Sequence, residues 1–341
     1  LIFDYKLNKM QKGLVFIVIL LTLSCKVENK EFEKLQGSAF GTTYSITYYD
    51  MLHRDFSKQM DSLIYVMNKS LSTYVSNSDI SKINKGDLSI KIDDNFKEVF
   101  LKSERIFRQT NGFFDPTVGP LVNAWGFGPE KSIKNLSDLQ VDSLMQFVGF
   151  EKVKIQNGSI IKETPEIYFD FNAIAKGFGI DLMGRFLESR GCENYLIELG
   201  GEIRAKGTNR NDDFWKVAIE DPNTDGSRSF SKITVLENQS MASSGNYRKF
   251  KIDENGRKYV HSINPTTGYA VESDLLGATV ISKLDCADVD AYATAFMVMG
   301  LKKSKEFLEK HSELDAHLIF SDEEGNVKTF TTSNLILTAV E

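Results

Sequence analysis

The chain has 341 residues, 41% hydrophobic and 26% charged, the balance of a globular protein long enough to bury a sizeable core. Its 47 acidic and 41 basic side chains leave a net charge of −6, so it lacks the basic footprint of a nucleic-acid binder. A phosphate-bearing ligand is not opposed by that balance, since a bound metal supplies local positive charge.

The N-terminus reads as an address. Lys6, Lys9 and Lys12 precede an apolar run over residues 13–23, and polarity returns at Lys26, Glu28 and Lys30. A basic stretch, a short apolar run and a small residue at its end make a secretory signal, too short for the roughly 20 residues that span a bilayer. Counted from Met10, residues 10–25 still form a complete short signal. Leu21-Thr-Leu-Ser-Cys25 is similar to a bacterial lipobox, with Thr22 where Leu is usual. The expectation is a lipoprotein signal over residues 1–24 and lipidation at Cys25. A polar tether over 25–36 and one domain over 37–341 would follow. The chain would then be exported and held at a bacterial membrane surface on its extracytoplasmic face. An ordinary signal peptide with a chance cysteine is the alternative. Cys192 and Cys286 then remain; two cysteines imply no disulfide framework. Cys286 sits in an apolar helical pattern that suits a buried free thiol, and no catalytic thiol is expected.

In chain order, β-branched and aromatic residues over 42–49 predict a strand. Met60, Leu63, Ile64 and Met67 predict an amphipathic helix over 55–71. Phe96, Val99, Phe100, Ile106 and Phe107 predict another over 95–110, stopped by Asn111-Gly112. A shorter helix follows over 139–147, a brief strand over 167–170 and a helix over 174–188. Strands are expected over 195–199, 215–219, 233–236 and 276–282, and at least one long helix within 285–311. Strands follow one another in the second half, which points to an α+β fold with mixed or antiparallel sheets. Neither a Gly-x-Gly-x-x-Gly turn nor a Walker A loop is present, so a Rossmann-type cradle is not expected.

Four stretches depart from plain globular patterning. Residues 111–128 are rich in glycine and proline and carry Phe113, Phe114, Trp125 and Phe127, flat faces that suit either an aromatic heterocycle or the core. Asp170-Phe-Asn-Ala-Ile-Ala-Lys-Gly177 places an acidic residue just before a helix N-terminus, which suits phosphate binding or simple capping. Met241-Ala-Ser-Ser-Gly-Asn-Tyr247 and His261-Ser-Ile-Asn-Pro-Thr-Thr-Gly268 offer hydroxyls to phosphate and a histidine as acid or base, or ordinary turn chemistry. In residues 285–300, Asp290 and Thr294 are i and i+4 on a helix. Together they form a hard, all-oxygen environment suited to Mg²⁺. An acidic first turn that complements the helix dipole explains Asp285 and Asp288 but fits Asp290 less well.

Taken together and in this order, Gly41-Thr-Thr-Tyr44, the run 114–128, Leu199-Gly-Gly-Glu202, the His261 to Gly268 motif and Ala287-Asp-Val-Asp-Ala-Tyr-Ala-Thr294 resemble the FAD:protein FMN transferase (ApbE) family. The resemblance implies Mg²⁺-dependent transfer of FMN from FAD to a Thr or Ser hydroxyl of an acceptor protein, with AMP released. It further implies that FAD contacts Phe40, Tyr74, Gly112, Phe113, Phe114, Asp170, Lys176 and Ile263, and that the Ala173 carbonyl, Asp290 and Thr294 hold Mg²⁺. His261 or Asp290 would take the hydroxyl proton. Phe40 stands where Met is usual, Lys176 where relatives also carry Glu, and Ala293 where some carry Asp. The implied partner is a membrane or exported redox protein bearing a Thr/Ser flavinylation motif. An FAD pyrophosphatase that yields FMN and AMP, and a non-catalytic FAD-binding lipoprotein, are the competing readings. The second leaves Asp290 and Thr294 unexplained.

Overall fold

The computed structural model describes residues 30–87, 89–220, 230–245, 250–252, 258–260, 262–271 and 273–340. The expected signal, Cys25 and His261 lie outside the described residues. The helices are α1 (Ser57–Leu71), α2 (Asp79–Asn84), α3 (Asp94–Gln109), α4 (Gly119–Ala124), α5 (Asp138–Met145), α6 (Ala175–Ser189) and α7 (Cys286–Leu308). The strands of the first half are β1 (Phe32–Ala39), β2 (Thr42–Tyr49), β3 (Val153–Gln156), β4 (Ser159–Lys162), β5 (Tyr195–Leu199) and β6 (Glu202–Lys206). Those of the second half are β7 (Trp215–Glu220), β8 (Phe230–Leu236), β9 (Ser240–Gly245), β10 (Phe250–Ile252), β11 (Lys258–Val260), β12 (Leu275–Ser282), β13 (Asp315–Ser321), β14 (Val327–Thr331) and β15 (Thr338–Ala339).

Eight of these strands form one sheet in the order β1-β2-β5-β6-β9-β12-β13-β14, antiparallel at every pairing. This is the α+β, non-Rossmann architecture that the run of consecutive strands predicts. Helices α6 and α7 pack on one another and lie against β5, β6, β9 and β12. Gly177 makes the helix contact possible, because a Cβ there would stand 2.4 Å from the Cys286 carbonyl oxygen. The three-stranded sheet β15-β8-β7 buries Trp215, Val217 and Ile219 against Ile203, Met241 and Ile281 of the large sheet. Both layers follow from period-two alternation: Met241 faces the small sheet, while Ala242 belongs to the main core with α7.

Several expectations are met closely and others are corrected. Helix α3 starts on Asp93, whose carboxylate accepts the Phe96 N–H at 2.8 Å. It ends at Asn111 and Gly112, at φ 50° and 81°, where the Gly112 N–H reaches the Phe107 carbonyl at 2.9 Å, a left-handed helix stop. The expected tether is strand from Phe32 onward, paired with β2 throughout. Phe32 and Leu35 pack on apolar clusters, a pattern hidden by Glu33, Lys34 and Gln36. The strand expected over 167–170 reduces to a single bridge, Tyr168 to Val118. Asn84 occupies the Phe169 backbone instead, donating to its carbonyl at 2.9 Å and accepting its N–H at 2.8 Å. Met241 to Gly245, read as phosphate-binding or turn residues, form β9, fully paired with β12. The long helix expected within 285–311 is α7, broken at Gly300 (φ 75°, ψ 174°). Cys192 and Cys286 are free and buried.

Candidate active site

The site lies where α6 and α7 begin to cover the end of the sheet. Asp290 is buried on α7, and its Oδ2 accepts the Gly177 N–H of α6 at 3.0 Å. Gly177 is the third residue of α6, whose N-cap is Ile174, so its N–H has no acceptor within the helix and Asp290 satisfies it. The Ala173 carbonyl lies just ahead of that first turn. One turn along α7 from Asp290, the Thr294 hydroxyl lies 3.2 Å from the Ser244 hydroxyl of β9.

Two further charged groups complete the cluster. Lys176, in the first turn of α6, pairs with Oε1 of Glu202 at the start of β6. Glu202 is 2% exposed, and its Oε2 has no hydrogen-bond partner. Burial pushes the Glu202 carboxyl above its ordinary range, with Lys176 opposing the shift. Burial, and then the charge of Glu202, pushes Asp290 up to about 8. Two buried carboxylates therefore share one ammonium. The orphaned Glu202 oxygen, the Ala173 carbonyl ahead of α6 and the Thr294 hydroxyl are hard oxygen donors, and two buried carboxylates beside one ammonium favour an added cation. These residues fit a divalent cation of the Mg²⁺ kind. Among the described residues no three His, Cys, Asp or Glu side chains gather as a metal cluster.

The residues expected to contact FAD occupy several elements. Phe40 and Gly41 form the two-residue β1–β2 turn, both at positive φ (51° and 77°), as a type I′ hairpin requires. A left-handed Phe is strained, and its ring is set against α6, where a Cβ on Gly179 would meet it at 2.8 Å. Tyr74 is 63% exposed and leaves its ring open to a ligand. Gly112 and Phe113 follow the stop of α3, and the Lys303 Nζ stands 4.3 Å above the Phe113 ring. Phe114 is in the core at 3% exposed, and its N–H donates to the Thr110 hydroxyl at 3.1 Å. Asp170 is buried, and its carboxylate accepts the Asn172 N–H at 2.8 Å. Ile263 is buried with Leu121, Val141 and Val148. Trp125 and Phe127 pack on that cluster, and the Trp125 indole donates to the Gly268 carbonyl at 2.9 Å, so these two rings hold the 262–270 loop in place.

The 114–128 loop is itself stapled by Asp115 and Thr117. Asp115 accepts the Thr117 N–H at 2.8 Å, the Thr117 hydroxyl at 2.6 Å and the Phe150 N–H at 3.1 Å. Of the functional candidates, Glu202 carried the weakest signal in the sequence. A Glu after two glycines at a strand end marks a motif, but its pairing with Lys176 is visible only in three dimensions.

Comparison with known proteins accords with this geometry. Residues 40–318 match the model of the ApbE family. The chain belongs to the ApbE family. It is 34% identical to a FAD:protein FMN transferase of Haemophilus influenzae, over 94% of this chain and 96% of the relative. Among solved structures it is similar to the flavin transferase ApbE from Vibrio cholerae, at 34% identity and TM-score 0.79, covering 89% of this chain and 98% of that one. The apo flavinyl transferase ApbE of Pseudomonas stutzeri superposes with the same TM-score at 27% identity, covering 90% and 96%. Membership assigns the Gly-Thr-Thr-Tyr turn, the 114–128 loop and the Asp290/Thr294 turn to one ApbE domain.

Proposed function

We propose that this protein transfers FMN from FAD to a Thr or Ser hydroxyl of an acceptor protein and releases AMP. The observation that carries the reading is the buried Asp290 carboxylate bonded to the first turn of α6, with the Ala173 carbonyl just ahead of that turn and the Thr294 hydroxyl one helical turn along α7. These three would hold Mg²⁺. Bound Mg²⁺ supplies Lewis-acid polarisation of the FAD pyrophosphate. Phe40, Tyr74, Gly112, Phe113, Phe114, Asp170 and Ile263 place the dinucleotide, and Lys176 adds a fixed positive charge at the helix start. The acceptor oxygen forms a bond to the riboflavin-side phosphorus as the bond to the bridging oxygen breaks. AMP leaves with that oxygen, and the hydroxyl proton passes to His261 or Asp290.

The apolar run over 13–23 and the sequence ending at Cys25 support export and lipid anchoring, which would set the enzyme beside membrane or exported redox acceptors. Incorporation of a palmitate analogue that Cys25→Ala abolishes would check the anchor. No helix among the described residues is long and apolar enough to cross a membrane. For the activity, the protein is incubated with FAD and Mg²⁺ with and without an acceptor, and product masses are read. The expected result is an acceptor heavier by one FMN, dependent on Mg²⁺ and lost in Asp290→Ala. Free FMN and AMP with no adduct on any acceptor would replace transfer by hydrolysis, and intact co-purifying FAD would replace it by simple binding. An unchanged rate and pH profile in His261→Ala would leave Asp290 as the proton acceptor.

A further inference from the structure

Strand β9 has one complete edge and one that stops early. Against β12 it pairs from Ser240 to Gly245 without interruption. Against β6 it pairs only at Ser240 and Met241, because the chain turns away from β6 at Gly200 and Gly201 (φ 66° and 112°). Beyond Met241 no described strand lies on that side. The direction of the free backbone groups follows from the ladder. The Ala205 N–H donates to the Gln239 carbonyl at 2.9 Å, so Gln239 and, two residues on, Met241 turn their backbone groups toward β6. By the same alternation, Ser243 and Gly245 present an N–H and a carbonyl each to the open edge.

The side chains add the second half of the argument. Ser244 points at α7, where it meets Thr294, and Glu202, in the row of β6, meets Lys176 of α6. A strand laid beside Ser243 to Gly245 would continue the row of β6. Its residue opposite Ser244 would direct a side chain into the helix-side layer that holds Lys176, Asp290 and Thr294, about 4.8 Å from Ser244, one strand spacing. The described residues of this edge carry none of the usual guards: they are Ser243, Ser244 and Gly245, with no Lys, Pro or bulge.

We propose that the acceptor protein docks by β-strand addition, an extended segment bearing the Thr or Ser lying along the open edge of β9. The proposal rests on the transferase reading and specifies how its protein substrate is held: main-chain bonds give affinity, and alternate side chains face the chemistry. Such recognition selects an extended, accessible hydroxyl-bearing segment over a helical one.

The test uses the intact protein and synthetic decapeptides with one central Thr among Val, Ala and Lys, each methylated at a single backbone nitrogen. Every second methylation should lower kcat/KM for adduct formation about tenfold, the loss of one main-chain hydrogen bond, and the intervening ones should change it less than about twofold. Hydrogen exchange with FAD present and Mg²⁺ withheld should show the Ser243 and Gly245 amides slowed by the unmethylated peptide beyond the effect of FAD alone. Methylation without alternation, or no added protection, overturns the proposal. Full protection by FAD alone would assign the edge to the dinucleotide and equally overturns it. Absence of adduct on every peptide would sink the transferase reading, while the exchange arm would still decide the edge.

Discussion

Helices α6 and α7 clamp two acidic clusters, and the two are built to opposite rules. In the first, both oxygens of buried Asp181 are taken: Oδ1 by the Cys286 N–H at 2.9 Å and Arg204 at 2.6 Å, Oδ2 by the Ala287 N–H at 2.9 Å. Its neighbour Asp285 is shared among Lys102, Arg185 and Arg204. Farther along the same helix pair, Asp290 has only the Gly177 N–H, and Glu202 has Lys176 and one orphaned oxygen. A saturated buried cluster fixes a structure, whereas an unsaturated one is a place for something to bind.

Breaking the first cluster should cost folding and spare chemistry. Asp181→Ala leaves two buried helix N–H groups without an acceptor, while Arg204 keeps Glu188 and Asp285, and is expected to lower unfolding free energy by about 3 kcal/mol, read by urea denaturation, with turnover per folded molecule retained. Breaking the second should do the reverse. Asp290→Asn should cut FMN transfer at least about a hundredfold while the melting temperature holds, since a carboxyl pushed up to about 8 is largely uncharged at neutral pH and Asn keeps an oxygen for the Gly177 N–H. A fall in both would erase the distinction. The Lys176–Glu202 pair sharpens it: Lys176→Met leaves Glu202 as an unpaired buried carboxylate, and adding Glu202→Gln should recover about 2 kcal/mol of the loss. A double-mutant cycle with no coupling would show that the pair is not the unit described.

The smallest effect concerns a carboxylate outside both clusters. Arg54 hydrogen-bonds Asp50 and lowers its carboxyl from the ordinary 3.8 to about 2. Between those values the unfolded chain binds more protons, so this contribution is present above about pH 4 and is lost as pH falls toward 2. Asp50→Asn should flatten the stability profile in that window only, as followed by denaturation at stepped pH.

Much of this was legible in the sequence where a local rule acted alone. The periodicity of Phe96, Val99, Phe100 and Ile106 and the Asn111-Gly112 stop gave α3, and the i, i+4 spacing of Asp290 and Thr294 put them on one face. What was hidden depends on partners distant in the chain. The strand at Phe32 shows only in its pairing with β2, and the missing strand at 167–170 only in the grip of Asn84 on Phe169. Glu202 gains its meaning from Lys176. The small residues of β9 looked like a turn because Ser and Gly have low strand propensity, and burial against α7 overrode it.

The break at Gly300 makes α7 two rods, not one. The second begins with its own cap, since Asp274 Oδ1 accepts the Leu301 N–H at 2.9 Å, so its rotation is fixed by the lead into β12. A residue inserted just after Leu301 would turn the outer rod by about 100° and carry Lys303 away from Phe113. It would also turn out Phe307, which packs on Tyr292 and Phe296 of the inner rod, and Ser304, whose hydroxyl donates to the Phe296 carbonyl. The two rods share one core, so an insertion at the joint would be felt in the helix that carries Asp290 and Thr294.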